Sequence, residues 1–232
     1  MPILLGNEEM IEKKAKELDL DLAGIEIVNL RHDREMARRE KYARILADKC
    51  RRDGYTFEEA NDKMFERNYF GMMMVETGEA DAFITGVYTK FSNTVKVAKE
   101  VIGIREPYKH FGSVHILNSK RGTYYIADTL INRSPDKEAL KDIARLTAES
   151  IKFFNDEPKI AMISYSNFGV DKEGSPRLMR EVVAEMQAEC PELKIDGEMS
   201  VELALDHERR DEKYPFLRLL GEQGNSMILI NL

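Results

Sequence analysis

The fold class can be read from the sequence KIAMISYSNFG, which occupies residues 159–169. Its first half is apolar and predicts a short buried strand, and small polar residues follow directly after that strand. A helical pattern that opens at Ser134-Pro135 precedes it, while another that opens at Ser175-Pro176 leads to a strand predicted at residues 193–196. Helices that alternate with short strands in this way predict an α/β fold with a largely parallel sheet.

The same alternation continues towards both ends of the chain. Apolar residues at helical spacing predict helices after Asn7, at residues 33–52 and at residues 68–77. Thr56 and Glu59 have the spacing of a capping box, and Ser92, Asn93 or Thr94 is expected to cap a further helix. The remaining strands are predicted at residues 25–28, 81–86, 114–117, 123–127 and 226–230. The third and fourth of these strands predict an antiparallel hairpin.

Composition excludes several classes of protein. The chain has 232 residues, of which 43% are hydrophobic and 33% charged, and its formal net charge is −7. This balance is typical of a globular protein rather than a disordered chain, and net acidity argues against a nucleic-acid-binding protein. Apolar stretches are too short to span a bilayer and no signal peptide is recognisable, so we expect a cytoplasmic protein without a membrane partner.

Cysteine and histidine spacing indicates neither a disulfide framework nor a metal site. Cys50 and Cys190 lie far apart in the sequence and form no CxxC pair. The four histidines have no spacing typical of metal ligands. We therefore expect reduced thiols and no bound metal.

The first candidate binding segment follows the strand predicted at residues 81–86. Gly86, Thr89, Thr94 and Lys96 lie in the turn and at the start of the next predicted helix. Free N–H groups and the helix dipole at such a position favour an anion such as phosphate. The alternative is an ordinary capped loop, and the P-loop motif GxxxxGK[ST] is absent.

The second candidate segment follows the strand of the opening sequence. Ser164, Ser166 and Asn167 are small polar residues that can line a polar pocket, although a solvated loop is the alternative. Asp196 stands at the end of the next predicted strand. It is either a general base or an orienting group, or it caps a helix predicted at residues 198–205.

Taken together, these segments resemble the phosphate acetyltransferase/butyryltransferase family over nearly the whole chain. The matching stretches are PILLG at residues 2–6, GEADA at 78–82 with Gly86, AMISYS at 161–166 and IDGE at 195–198. Within the family, four details resemble the transferase-like C-terminal domain of NADP-dependent hybrid malic enzymes. They are GTYYIAD at residues 122–128, SYSNFG at 164–169, DGEM at 196–199 and YPFLRL at 214–219.

The resemblance implies two three-layer α/β/α lobes with a cleft between them, of the isocitrate/isopropylmalate dehydrogenase-like type. Residues 1–106 with 214–232 would form a discontinuous first lobe, and residues 107–213 the second. Compared with the family, the chain lacks a strand–helix unit at its start and a helix at its end, so both ends are expected to be truncated. The resemblance also implies a homodimer or higher homo-oligomer.

The ligand implied by the resemblance is coenzyme A or its acetyl thioester, bound in the cleft. The implied partners are the malic-enzyme domains of the same parent chain. NADP and a divalent metal would be held only in those other domains, and no cofactor in this one. Acetyl-CoA binding would reduce malic-enzyme activity.

The resemblance also indicates which reacting groups have changed. In active members, an Asp acts as base, a Ser–Arg pair stabilises the developing charge, and two Arg hold the phosphoryl group. Here the Ser–Arg pair falls on Leu217 and Arg218, and the Asp falls near Asn225. The phosphoryl Arg positions are Cys50, with Arg51 beside it, and Lys96. Loss of one oxyanion donor alone costs about 10²–10³-fold in rate, whereas ground-state binding can survive it.

Three hypotheses follow. The preferred one is a regulatory module that binds acetyl-CoA and has little transferase activity. Gly86, Thr89, Thr94 and Lys96 would form a phosphate-facing loop, and the opposite wall would consist of Ser164, Ser166, Asn167 and Arg218. The second hypothesis is an active phosphate acetyltransferase in which Arg51 or Asp196 compensates. The third is a module that only dimerises the parent enzyme.

Overall fold

The protein folds as two α/β units, seen in a computed structural model that describes residues 1–120, 122–219 and 227–231. The first unit is Met1–Gly103 and the second is Ile104–Leu232. Parallel strands alternate with helices in both units, which confirms the predicted α/β class.

The first unit, all of whose residues are described, contains a two-stranded parallel sheet. Strands β1 (Ile3–Leu5) and β2 (Glu26–Val28) are joined by helix α1 (Glu8–Glu17). Asn7 caps α1 as predicted, because its side-chain oxygen accepts the Met10 N–H. The helices that follow are α2 (Met36–Lys49), α3 (Phe57–Lys63), α4 (Arg67–Glu76) and α5 (Phe91–Val101).

Helix faces form the core of the first unit. Tyr42 and Leu46 of α2 pack with Phe70 and Met73 of α4, and all four side chains are fully buried. The predicted capping box at the start of α3 is present, with Thr56 and Glu59 bonding each other's backbone. Burial of these apolar faces, more than helix propensity, holds such short helices together.

Two predictions for the segment before α5 are wrong. Residues 81–86 form no strand, since within the described chain they are not paired into a sheet, and Ile84 is 96% exposed. Phe83 instead packs against Gly71 of α4, where an added Cβ would lie 2.3 Å from its ring. Helix α5 begins one residue before Ser92, and its N-cap is Lys90.

The second unit contains a mixed sheet of five strands among its described residues, in the order β3-β4-β7-β5-β6. β3 (His115–Ser119) and β4 (Gly122–Ala127) form the predicted antiparallel hairpin. The other neighbouring strands are parallel. The remaining elements are α6 (Lys137–Phe153), β5 (Lys159–Ile163), α7 (Gly174–Glu189), β6 (Lys194–Met199), α8 (Val201–Leu205), α9 (His207–Lys213) and β7 (Met227–Asn231).

The final strand corrects the predicted division of the chain. We assigned residues 214–232 to the first lobe, but β7 lies between β4 and β5 in the sheet of the second unit. Ile228 and Ile230 of this strand are fully buried in the core of that unit. The first unit ends at Gly103, whereas we predicted that its first segment would end at residue 106.

Strand β6 is longer than the prediction of residues 193–196. It runs to Met199, so Asp196 and Glu198 lie inside the strand. The helix predicted at residues 198–205 begins only at Val201, and Ser200 caps it through the Leu203 N–H. The alternative in which Asp196 caps this helix is therefore wrong.

No helix in the described ranges is long and apolar enough to cross a membrane. Among the same residues, no group of three or more His, Cys, Asp or Glu side chains is placed to hold a metal ion.

Candidate functional site

The loop before α5 is organised by the buried side-chain amide of Asn68 at the start of α4. Asn68 Oδ1 accepts hydrogen bonds from the Thr85 hydroxyl (2.7 Å) and the Tyr88 hydroxyl (2.9 Å). Its Nδ2 donates to Thr94 Oγ1 (3.4 Å), which lies 3.3 Å from Thr89 Oγ1. The predicted loop residues Thr89 and Thr94 are thus brought together by a residue that the sequence did not single out.

The turn at Gly86 and Val87 has an uncommon backbone conformation. Gly86 has a φ of 153°, and Val87 has a φ of 68°. A β-branched residue in the left-handed region costs about 1–3 kcal/mol and persists only where its surroundings hold it. The flanking Thr85 and Tyr88 are both bonded to Asn68, and the Arg67 guanidinium lies 4.7 Å from the centre of the Tyr88 ring. These contacts hold the turn in place.

The N-terminus of α5 retains its capacity to attract an anion. Lys90 is its N-cap, and no side chain of the described residues caps the helix there. The Lys90 carbonyl accepts the N–H groups of Asn93 (3.0 Å) and Thr94 (3.4 Å). The helix extends over 11 residues, so its dipole and first N–H groups favour negative charge beside Gly86 and Thr89.

Lys96 lies on a different side of α5 from Thr94, because residues two apart on a helix do not face each other. Its exposed ammonium group lies 3.7 Å from Glu100 Oε1. The buried Cys50 approaches the same residue, since its thiol donates to the Glu100 carbonyl at 3.7 Å. Burial, together with Glu100, raises the pKa of the Cys50 thiol and keeps it protonated. Arg51 is exposed on the turn after α2.

In the second unit, Ser164 and Ser166 shape the loop that follows β5. The Ser164 N–H donates to the Met199 carbonyl (2.9 Å), and its Oγ accepts the Ser166 N–H (3.4 Å). Ser166 Oγ in turn accepts the Asp171 N–H (3.0 Å). Both serines are buried, so the solvated-loop alternative is wrong for them.

Asn167 borders a small cavity. Its Oδ1 accepts the Ser200 N–H at 2.8 Å. The cavity has a volume of about 100 Å³ and is lined by Asn167, Ser200, Glu202, Leu203, Arg209, Lys213 and Tyr214. Pockets for cofactor-sized ligands measure about 300–1,000 Å³, so this cavity alone is too small for an acyl-CoA.

Asp196 is buried and connects β6 to the segment that carries Leu217 and Arg218. Its Oδ2 accepts the Arg218 N–H (2.7 Å), and its Oδ1 accepts the Gly197 N–H (2.9 Å). Burial raises the pKa of the Asp196 carboxyl, and these hydrogen bonds only partly oppose that effect. The structure therefore brings Asp196 and Arg218 together, as a carboxylate with a raised pKa beside an exposed arginine.

Leu217 is 4% exposed, and its N–H donates to the Tyr214 carbonyl at 3.2 Å. An alkyl group therefore occupies the position at which the resemblance implies a reacting serine. Asn225, at the implied position of the general base, lies outside the described residues.

Arg180 and Glu198 form a partly buried pair beside the candidate loop, and the sequence did not single out this pair. Glu198 is fully buried, and its Oε1 accepts the Gly169 N–H (2.9 Å) and an Arg180 guanidinium N–H (2.8 Å). Arg180 also donates to the Asp171 carbonyl (2.8 Å). The pair fastens the loop of Ser164 and Ser166 to β6. Glu198 lies in the IDGE motif, but nothing in the sequence indicates its partner on α7.

Comparisons with known proteins agree on one family. The sequence matches the family described as Phosphate acetyl/butaryl transferase over residues 1–231. It is 35% identical to the NADP-dependent malic enzyme of Salmonella typhimurium over 235 residues, which cover 100% of this chain and 30% of that enzyme. It is 32% identical to the phosphate acetyltransferase of Bacillus subtilis over 221 residues, which cover 95% of this chain and 67% of that enzyme.

Solved structures give the same result. A phosphotransacetylase from Streptococcus pyogenes superimposes with a TM-score of 0.81 and 28% identity, covering 99% of this chain and 68% of that one. The EutD phosphotransacetylase from Staphylococcus aureus gives a TM-score of 0.75 at 28% identity, covering 100% and 69%. The chain thus spans under a third of the malic enzyme and about two thirds of each transferase.

Proposed function

Since the chain belongs to the phosphate acetyl/butaryl transferase family, we propose that it is a regulatory module that binds acetyl-CoA and has little acetyltransferase activity. The proposed parent protein is an NADP-dependent malic enzyme, in which this chain is the transferase-like C-terminal domain. The malic-enzyme relative, matched over the full length of this chain, supports that context.

The observation that carries the proposal is the buried alkyl side chain of Leu217 beside Arg218. In the family's reaction, the thiol of coenzyme A attacks the acetyl carbonyl, a base takes the thiol proton, and phosphate leaves. A leucine cannot donate a hydrogen bond to the oxygen on which charge develops. Removing one such donor lowers the rate by about 10²–10³-fold.

Acetyl-CoA binding would rely on polar groups that this chain retains. The Asn68 network holds Thr89 and Thr94 next to the uncapped N-terminus of α5, which supports a phosphate-binding role for that loop. In the second unit, the Arg180–Glu198 pair fixes the loop of Ser166 and Asn167. Contacts that these loops would make with the ligand stabilise its ground state and its transition state alike. Binding can therefore persist when catalysis is lost.

The further parts of the proposal concern the parent enzyme. Acetyl-CoA bound here would lower malic-enzyme activity in the other domains of the same chain, and the module would form homodimers or higher oligomers. NADP and a divalent metal would be bound by those other domains. Reciprocity of binding free energies requires that malic-enzyme ligands also change the affinity for acetyl-CoA.

One observation favours the second hypothesis, an active phosphate acetyltransferase. Asp196 is a buried carboxylate with a raised pKa, tied to the Arg218 backbone, and these are properties of a general base. If it accepts the thiol proton, acetyl phosphate and coenzyme A should be converted at an ordinary enzymatic rate of about 1–10³ s⁻¹. Thioester absorbance in the presence of both substrates measures this rate.

The binding half of the proposal is tested with Thr94→Val, using Thr123→Val as the matched control. Thr94 bonds to Asn68 at the start of α5, whereas Thr123 bonds to Asn118 in the hairpin of the second unit. We expect acetyl-CoA affinity, measured by equilibrium binding, to fall about tenfold in Thr94→Val and to stay unchanged in the control. Equal affinities in both variants would contradict a role for this loop.

A further inference from the structure

Glu100, near the end of α5, lies among polar side chains of which the proposed function uses only Lys96. Only 17% of its side chain is exposed. Its Oε2 accepts hydrogen bonds from the Tyr55 hydroxyl (2.9 Å) and the Tyr69 hydroxyl (2.5 Å). Its Oε1 lies 3.7 Å from the Lys96 ammonium. Two phenols and one ammonium group therefore converge on a single carboxylate.

A second ammonium group strengthens this arrangement. Lys63 Nζ lies 5.4 Å from the centre of the Tyr55 ring and 4.7 Å from that of the Tyr69 ring. A cation over an aromatic face is attracted to the ring, and it draws electron density from the phenol and strengthens its O–H as a donor. Burial raises the pKa of Tyr55 to about 12, and it raises the pKa of Tyr69 further. Both phenols therefore keep the protons that they donate.

Phenol and ammonium groups of this kind are suited to binding an oxyanion. Charge-assisted hydrogen bonds from hydroxyl and ammonium groups hold phosphate and carboxylate oxygens alike. Here the oxygens belong to the chain itself. Cys50 and Lys96, the positions that the resemblance associates with a phosphoryl group, both contact Glu100.

We propose that Glu100 is an internal anion that fills an oxyanion site built by Tyr55, Tyr69 and Lys96, and thereby excludes an external phosphoryl group from it. An incoming phosphate would find these donors already engaged and a like charge beside it. The inference rests on the proposed function and adds to it a class of ligand, small phosphate compounds, that the site does not bind. Acetyl phosphate and inorganic phosphate are excluded, and removal of the Glu100 carboxylate opens the site to them.

The test is a calorimetric titration of inorganic phosphate into the full chain and into Glu100→Ala and Glu100→Gln. Glu76→Gln is the matched control, because Glu76 is an ion-paired carboxylate on the neighbouring helix α4. We expect no measurable phosphate binding at millimolar concentration in the wild type and control. Glu100→Ala should bind phosphate at least about tenfold more tightly, and Glu100→Gln, whose amide still fills the space, should show a smaller gain.

Adding Lys96→Gln to Glu100→Ala should abolish the gained affinity. A folded Glu100→Ala variant with wild-type phosphate affinity would overturn the inference, and so would equally tight phosphate binding by the wild type. For a variant that is partly unfolded, the readout is Tm with and without phosphate. A rise supports the inference, since a ligand stabilises the state that binds it, and an unchanged Tm overturns it.

A parallel titration of the wild type with acetyl-CoA separates this inference from the proposed function. If acetyl-CoA does not bind but phosphate binds to Glu100→Ala, the proposed function fails and the role of Glu100 stands. If acetyl-CoA binds and the Glu100 variants gain no phosphate affinity, the role of Glu100 fails alone.

Discussion

A single buried side-chain amide, that of Asn68, holds the loop before α5 in its conformation. It accepts the hydroxyls of Thr85 and Tyr88 and donates to Thr94, so one side chain joins α4, the loop and α5. Buried polar groups contribute to stability only when they are bonded, and removing one leaves its partners unsatisfied. Asn68 is therefore a positioning residue for the candidate phosphate-binding loop.

Asn68→Ala should lower both stability and ligand affinity. We expect the first unit to lose about 1–3 kcal/mol of unfolding free energy, since the three hydroxyls lose their partner. Acetyl-CoA affinity should fall in a variant that remains folded at the assay temperature. Denaturant unfolding and equilibrium binding measure the two effects. The exposed Asn118, replaced in Asn118→Ala, is the control, and an equal affinity loss there would contradict the assignment.

The carboxyl group of Asp128 predicts a dependence of stability on pH. Burial raises its pKa, but hydrogen bonds from the Ser113 hydroxyl and from the Asn132 and Leu130 N–H groups outweigh burial and hold the pKa below its usual range. A depressed pKa in the folded state contributes stability that is present above the ordinary Asp value and lost as pH falls through the folded value.

We therefore expect the stability advantage of the wild type over Asp128→Asn to be full at neutral pH. It should shrink as pH falls below about 3.9, the ordinary pKa of Asp. Urea unfolding at a series of pH values gives the difference directly. A difference between the two proteins that is constant across this range would show that the charge of Asp128 has no part in it.

At the scale of elements, periodicity and capping predicted most helices because their causes are local. The buried faces of α2 and α6 and the Asn7 and Thr56 caps all follow from residues within one helix. The strand predicted at residues 81–86 failed because strand formation requires a partner, which the sequence pattern does not reveal. The place of β7 in the second unit was not predicted for the same reason, because its neighbours β4 and β5 are distant from it in the sequence.

The candidate site was predictable to a similar extent. The sequence located Thr89, Thr94, Ser166 and Asp196 near helix or strand ends, which is where polar groups of parallel α/β sheets gather. It did not reveal that Asn68 of α4 and Arg180 of α7 bond to side chains of these segments, or that Glu100 of α5 contacts Lys96. Such side chains have no motif spacing, because the fold alone brings them to the site.

The Arg180–Glu198 pair, which holds the loop after β5 against β6, predicts a large loss of unfolding free energy for Arg180→Met. The fully buried Glu198 would lose its ion-pair partner, and an uncompensated buried charge costs about 3–5 kcal/mol. The control is Arg177→Met on the same helix, whose exposed pair with Glu181 is screened by solvent and contributes little to stability. Denaturant unfolding compares the two variants. Similar losses in both would contradict the role of Arg180.

At the scale of the whole molecule, the proposal names one charged residue in each unit. Lys96 belongs to the first unit and Arg218 to the second. A module that senses acetyl-CoA should depend on such residues, whereas a module that only assembles the parent enzyme should not. The distinction requires an allosteric readout, because both hypotheses predict the same oligomer.

In the proposed parent, a malic enzyme, the double variant Lys96→Gln/Arg218→Gln should weaken inhibition by acetyl-CoA while leaving the oligomeric state unchanged. Malic-enzyme rates at increasing acetyl-CoA give the inhibition constant, and light scattering gives the oligomer mass. Inhibition that stays at the wild-type level in a correctly assembled double variant would favour the assembly-only hypothesis.

The central claim is that acetyl-CoA is bound but not turned over. A calorimetric titration of acetyl-CoA into the protein in phosphate buffer tests both parts together, because phosphate is the acceptor that an active transferase would use. We predict heat that saturates with a defined stoichiometry and then stops. The absence of any binding heat, or heat that continues after each injection as acetyl phosphate forms, would contradict the claim.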